Sequence, residues 1–262
     1  MIALVRRALK AGPRKILRRY YRAATIRFGL WPRVRFRFEN AHGLEIGGPS
    51  ALFQTDHRLL PIYAIANRVD VCNFGETTHW EGELQEGYNF RPEGQVIGYQ
   101  YICGGDDLGR IPDASLDFVL SSHTLEHFAN PLRAVEEWIR VLRSGGTLVL
   151  VLPDPKRTFD HRRPVTTFEH LLEDREADRR EDDATHFDEA IHLTDLEQYP
   201  KSIAPDPAAF ERNCRANFQN RCLHHHVFDF QLLERILGLY GLRQVGRAAP
   251  EPYHLIVIAQ KP

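Results

Sequence analysis

Two hydrophobic rhythms share this chain, and residues 115–154 show both. Leu116, Phe118, Val119 and Leu120 form an apolar run that predicts a buried strand. A 3.6-residue rhythm follows: Leu132, Val135, Trp138, Ile139 and Leu142 fall on one face, with Arg133, Glu136, Glu137, Arg140 and Arg143 mostly opposite. Gly145 and Gly146 should stop this helix, and 147–152 is a second apolar, β-branched run. Strand, helix and strand with short joints predict a βαβ unit whose strands are parallel and covered on both faces.

The same reading extends in both directions. Residues 43–47, 68–71 and 99–103 read as three earlier strands, with a helix expected over 58–67 despite Pro61. Residues 75–98 are polar and aromatic without clear period. Residues 227–240 are amphipathic and end at Gly241, and 242–247 and 254–260 read as the last two strands. Five β–α units and a closing strand pair predict an α/β fold, a doubly wound, mostly parallel, seven-stranded Rossmann-like sheet.

One block breaks this plan. Residues 155–226 stand between the fifth strand and the next helix, rich in charge and histidine and mostly helical over 168–190. An insertion at the carboxyl end of a parallel strand lies over the ligand crevice, so it is expected to be a substrate-binding cap. The expected organisation is a segment 1–40, a core over 41–154, the cap over 155–226, and 227–262 completing the core.

Composition narrows the classes. The chain has 262 residues, 43% apolar and 26% charged, ordinary for a globular domain. No apolar stretch approaches the roughly 20 residues of a membrane span, and no signal-peptide pattern is seen. Cys72, Cys103, Cys214 and Cys222 form no CxxC pair and read as reduced thiols, so a cytoplasmic protein is expected. The net charge of -1 hides an asymmetry, since residues 1–40 hold twelve basic residues and one acid. A basic amphipathic segment can lie on the inner membrane face or another polyanion. The alternative is a helix packed on the acidic remainder or on a second subunit of a homodimer. No nucleic-acid module is recognised, and none is expected.

A nucleotide-like ligand on such a sheet needs a close-approach turn after strand one and an acid at the end of strand two. Glu45-Ile46-Gly47-Gly48-Pro49-Ser50 supplies the first, and Asp70, 25 residues after Glu45, the second. Asp106 and Asp107 follow strand three and Ser122 ends strand four. An NAD-type fingerprint, with its three spaced glycines, fits less well. His123 lies just past strand four, with a pKa suited to a base near neutrality. His123, Glu126 and His127 are spaced i, i+3, i+4, which on a helix is metal-ligand spacing, and His192 or His224, His225 and His226 are available as a further ligand. Cys214, Cys222 and the histidine run match no standard zinc spacing.

The phrase LDFVLSSHTLEHFANPLRAVEEWIRVLRSGGTLVLVLPD resembles the second half of class I S-adenosylmethionine (SAM) dependent methyltransferases, of the type-11-like kind. Glu45 and Gly47 match that family's acid and first glycine, while Pro49 stands where its second glycine is expected. The resemblance implies SAM as cofactor, with Glu45, Gly47, Gly48, Asp70, Asp106, Asp107 and Ser122 as contacts. It implies an antiparallel hairpin for the last two strands. It makes His123, Asp154 and His225 the candidate catalytic residues. Metal-dependent O-methyltransferases acting on ubiquinone precursors and small-RNA ends look similar near 123–127, with Glu where His123 stands. This implies Mg or Mn at His123, Glu126 and His127, against a base-only route through His123. Residues 153–171, from Pro153-Asp154-Pro155 to Glu169-His170-Leu171, resemble a bacterial branch found beside glycosyltransferases. That implies a small-molecule or oligosaccharide acceptor and polysaccharide biosynthesis. The expected activity is O-methylation of a saccharide or glycan precursor. The alternatives are a lipid or quinone acceptor at the membrane, or a non-catalytic partner of a glycosyltransferase.

Overall fold

In the computed structural model, residues 26–55 and 59–262 are described. Strands β1 (His42–Ile46), β2 (Arg68–Asn73), β5 (Gly87–Phe90), β6 (Gly98–Ile102), β7 (Leu116–Ser122), β8 (Leu142–Pro153), β9 (Arg243–Ala248) and β10 (His254–Gln260) form one sheet. Their order is β5-β6-β2-β1-β7-β8-β10-β9. The five strands from β6 to β8 are parallel, while β10 runs antiparallel between β8 and β9. This is a doubly wound, Rossmann-like sheet, with eight strands rather than seven. The extra one, β5, pairs antiparallel with β6 through an irregular register. It lies in the stretch without clear period. There too lies a separate two-stranded hairpin, β3 (Thr77–Thr78) and β4 (Gly82–Glu83).

Period-two alternation assigns each strand residue to one of two apolar layers. Leu44, Ile46, Val119, Leu148, Leu150 and Val257 face one layer, which holds helices α2 (Pro131–Val141) and α7 (Phe230–Leu239). Leu132, Val135 and Trp138 of α2 and Leu233 and Ile236 of α7 are fully buried there. Asn130 and Asp229 cap these helices by accepting from Arg133 N–H and Leu232 N–H. Val69, Val71, Phe118, Leu120, Val149, Val151, Ile256 and Ile258 face the other layer. It is covered by Leu52, Phe53, Leu59, Leu60, Ile62 and Tyr63 and by the described end of the basic segment, including the short helix α1 (Trp31–Val34). There Ile26, Val34 and Phe38 are buried, and the Phe38 ring meets Phe118 edge-on at 5.3 Å. The rest of that segment, and any membrane or polyanion contact through it, lies outside the described residues.

Several boundaries differ from expectation. Helix α2 ends at Val141, because Leu142 turns extended and pairs with Leu116 before the glycines are reached. Residues 59–67 form turns rather than a helix; Pro61 lacks a donor and restricts Leu60. Among the described residues only β7–α2–β8 is a full βαβ unit. The crossovers from β1 to β2, β2 to β6 and β6 to β7 hold no α-helix among the described residues. The 168–190 stretch splits into α3 (Phe168–Glu176) and α4 (Phe187–Leu193), with Asp178 in the left-handed region at φ 47° between them. Helices α5 (Pro207–Arg215) and α6 (Asn217–Asn220) follow. The insertion has its own apolar cluster around Tyr199, Phe210, Cys214 and Leu223, yet Leu171 of α3 is buried in the main core.

Candidate active site

At the carboxyl edge of the parallel strands the chain encloses a cavity of about 710 Å³, which the insertion closes from one side. Its size suits a nucleoside-sized ligand with a small acceptor, given usual pocket volumes of roughly 300–1,000 Å³. The turn after β1 forms part of its wall. Gly47 adopts φ 74°, and a Cβ there would come within 2.8 Å of the Thr124 hydroxyl. A Cβ on Gly48 would strike the Glu45 carboxyl at 2.3 Å. Both glycines are therefore required by close approach, whether or not a second patterned glycine follows. Glu45 is wholly buried beneath this turn and outside the cavity lining. It accepts the Ser50 N–H at 3.0 Å and the Tyr63 hydroxyl. Burial pushes its pKa up to about 7, against the opposing hydrogen bonds from Ser50 and Tyr63.

Asp70 is not in the cavity. It sits inside β2, buried, accepting from Arg68 Nε at 2.8 Å and from Tyr99 N–H at 2.7 Å, with His42 Nε2 2.9 Å away. The strand runs three residues further, and the residue facing the cavity at its end is Asn73, whose side-chain amide donates to the Gly48 carbonyl at 2.9 Å. After β6, Gly104, Gly105 and Asp106 line the cavity. A Cβ on Gly105 would meet Ile46 at 2.6 Å, and its carbonyl accepts the Trp138 indole N–H at 2.8 Å. The Asp106 carboxylate lies 3.3 Å from Arg133 Nε. Asp107 belongs instead to a separate surface hollow with Arg133, Glu137 and Arg140.

Ser122 ends β7 in the cavity wall, and His123 follows in the left-handed region at φ 54°. A non-glycine residue so placed is uncommon and concentrates at functional turns. His123 Nε2 lies 2.8 Å from Nδ1 of His254, which the antiparallel β10 brings level with Pro153. Its Nδ1 is 3.6 Å from Glu126 Oε1. Glu126 is buried, and neither carboxylate oxygen has a hydrogen bond. Burial alone would raise its pKa, but His123, His127 and His224 outweigh that and hold it below the ordinary value. His127 is pressed down to about 4 by burial and then by the neighbouring His224, and its Nδ1 is 3.0 Å from the Leu223 carbonyl. His224 Nδ1 lies 2.6 Å from Asp160 Oδ2; burial opposes its charged form, yet Asp160 raises its pKa.

The metal expectation is thus rearranged. The ligand atoms of Glu126, His127 and His224 lie within 4.8 Å of one another, whereas His123 turns to His254. Residues 125–127 form a short 3₁₀ turn, so the helical spacing assumed for 123, 126 and 127 does not apply. His192 is exposed on α4, its Nδ1 at the Asp188 carbonyl. His225 is buried away from the cavity with its Nε2 2.9 Å from Asn217 Nδ2; its neighbour His224 is the one in the lining. Asp154 is also outside the lining, capping the turn 155–157 and holding Arg157 Nε at 3.1 Å, and Arg157 lines the cavity. The sequence reading missed Asn73, Glu81, Arg157 and His254, and it named His224 only as one of several histidines available as a further ligand.

Residues 84–150 match the sequence family described as methyltransferase domain. No curated protein sequence matches the chain. Among solved structures, a SAM dependent methyltransferase from Aquifex aeolicus is 13% identical, with 91% of this chain and 93% of that one covered at a TM-score of 0.47. The 1,6-didemethyltoxoflavin-N1-methyltransferase of Burkholderia thailandensis, solved with 1,6-didemethyltoxoflavin and S-adenosylhomocysteine, is 13% identical, with 99% and 88% covered at 0.48. The N-methyltransferase NodS from Bradyrhizobium japonicum is 12% identical, with 90% and 94% covered at 0.45. The matched segment runs from just before β5 into β8, so this part of the chain is similar to a methyltransferase domain.

Proposed function

We propose that the protein transfers a methyl group from SAM to a hydroxyl of a saccharide or glycan precursor. The observation that carries this reading is the His123–His254 pair at the β7 edge, facing the same cavity as the Gly47 turn and Asp106. Gly47, Asn73, Gly104, Gly105, Asp106 and Ser122 would hold SAM. Bound SAM supplies an electrophilic methyl group on its sulfonium. The chain's own work is to place the acceptor oxygen and remove its proton. His123 Nδ1 is the nitrogen not engaged with His254, and Glu126, unpaired and 3.6 Å away, would stabilise the cation formed there. Phe159, Tyr199, Trp80 and Tyr253 line the cavity beside Arg157 and Gln198. Rings next to fork-shaped donors suit a sugar's apolar face and hydroxyls. Residues 155–226 would then act as the acceptor-binding cap.

The test is a screen of saccharide acceptors with labelled SAM, with and without EDTA. The base route predicts turnover insensitive to chelator, and His123→Ala cutting it by about 10²-fold or more with SAM affinity retained. Loss of turnover with EDTA and its return with Mg²⁺ or Mn²⁺ would move the chemistry to Glu126, His127 and His224. Near-wild-type turnover in His123→Ala would defeat the base assignment.

A further inference from the structure

A second group of ligating side chains lies away from the cavity lining. We propose that His170, Asp174, His186 and His226 form a closed four-ligand site for a divalent transition metal, zinc by its donor set, that ties separate parts of residues 155–226 to one another. His170 Nε2 lies 3.1 Å from His186 Nε2 and 3.3 Å from Asp174 Oδ2, and Asp174 Oδ2 lies 3.7 Å from His226 Nε2. One ligating atom from each of the four residues falls within a 4.8 Å span. A tetrahedral ion with bonds of about 2.0–2.2 Å has ligand–ligand edges of roughly 3.3–3.6 Å, and the three measured separations bracket that range.

The chemistry of the cluster calls for a cation. Asp174 is 2% exposed, and its Oδ2, the atom aimed at the three rings, has no hydrogen-bond donor. Leaving a buried carboxylate oxygen unpaired is costly. His226 is 1% exposed with Nδ1 unpartnered, and its Nε2 has only the Ala129 carbonyl at 3.3 Å as the alternative to a metal. Three imidazoles and one carboxylate favour zinc or a similar transition ion over Mg²⁺ or Ca²⁺. Four protein ligands with no open position mark a structural rather than a catalytic site. Asp183 and His225 bring ligating atoms within 4.8 Å of His186 and would orient that ring.

The placement gives the ion a task. His170 and Asp174 lie one turn apart on α3, whose Leu171 is buried in the main core. His186 caps the start of α4 inside the insertion, and His226 ends the return to α7, two residues after the cavity residue His224. One ion would tie the insertion's entry, middle and exit. Cys214 and Cys222 take no part, because Cys214 packs in the insertion's apolar cluster and neither thiol belongs to a ligand group among the described residues.

The test uses the full chain, purified without a histidine tag. Elemental analysis should find about one zinc per chain, and stripping it should lower the unfolding midpoint by roughly 5–10 °C. The stripped protein given Co²⁺ should show the intense visible bands of a tetrahedral ion. Asp174→Asn and His186→Ala should lose both metal and bands, whereas Glu126→Gln should keep them, which separates this site from the cavity group. Should the two variants fail to fold, the wild-type protein still decides: no retained metal and no tetrahedral Co²⁺ spectrum would overturn the proposal. Bands lost in Glu126→Gln but kept in Asp174→Asn would also overturn it.

Discussion

Glu45 sets a pH signature for the fold. Its ordinary pKa of 4.5 rises to about 7 on folding. Between those values the folded chain holds a proton that the unfolded chain has released, so stability falls as pH rises through the window and then levels off. The swing is worth roughly 3 kcal/mol for a wholly buried group. Denaturant melts from pH 4.5 to 7.5 should show that slope in the wild type and a flatter one in Glu45→Gln. Asp70 predicts the opposite kind of outcome. Because Arg68, His42 and Tyr99 N–H consume its carboxylate, Asp70→Ala should cost about 1–3 kcal/mol of stability while leaving SAM affinity within twofold by calorimetry. Asn73→Ala should weaken SAM binding instead. The sequence shows an acid at the right distance from Glu45. It does not show that β2 continues to Asn73, nor that Tyr99 N–H and His42 come to the Asp70 carboxylate from neighbouring strands. His224 and His225 illustrate the same limit, since neighbours in extended chain point apart and the sequence does not say which one faces the ligand.

Elements with a full hydrophobic period were legible, and those without one were not. Helix α2 follows from its stripe, and Trp138 at its centre is fully buried while donating to Gly105. Trp138→Ala should destabilise the protein by about 3–5 kcal/mol in chemical denaturation. It should also loosen the Gly104–Asp106 wall that the indole holds. The β3–β4 hairpin has two-residue strands, too short for any period to register, yet it brings Trp80 and Glu81 to the cavity. Trp80 is 46% exposed and meets the His127 ring at 5.4 Å. Trp80→Ala is therefore expected to change ligand affinity several-fold with the unfolding midpoint shifted by less than about 2 °C. The reverse pattern would make the hairpin structural.

Across the molecule, the places of the parallel strands along the chain were readable because strands buried on both faces leave continuous apolar runs. The insertion was readable only as an interruption. Its contribution to the cavity, through Phe159, Glu181, Tyr199, Arg221 and His224, depends on tertiary contacts spread over 155–226. Among the described residues no helix is long and apolar enough to cross a membrane. SAM at 100 times its dissociation constant should stabilise the whole fold by about 2.7 kcal/mol, a shift that a thermal melt would register.

The position of β10 also governs assembly in time. During synthesis this strand emerges after both β8 and β9, the neighbours it must enter between. Until it arrives, Val149 and Val151 on β8 have no partner strand on that side, and the sheet stays open at a long apolar edge. His254 opens this same strand. The imidazole pair at the β7 edge is therefore completed by the segment that closes the sheet, and a nascent chain cannot acquire one without the other.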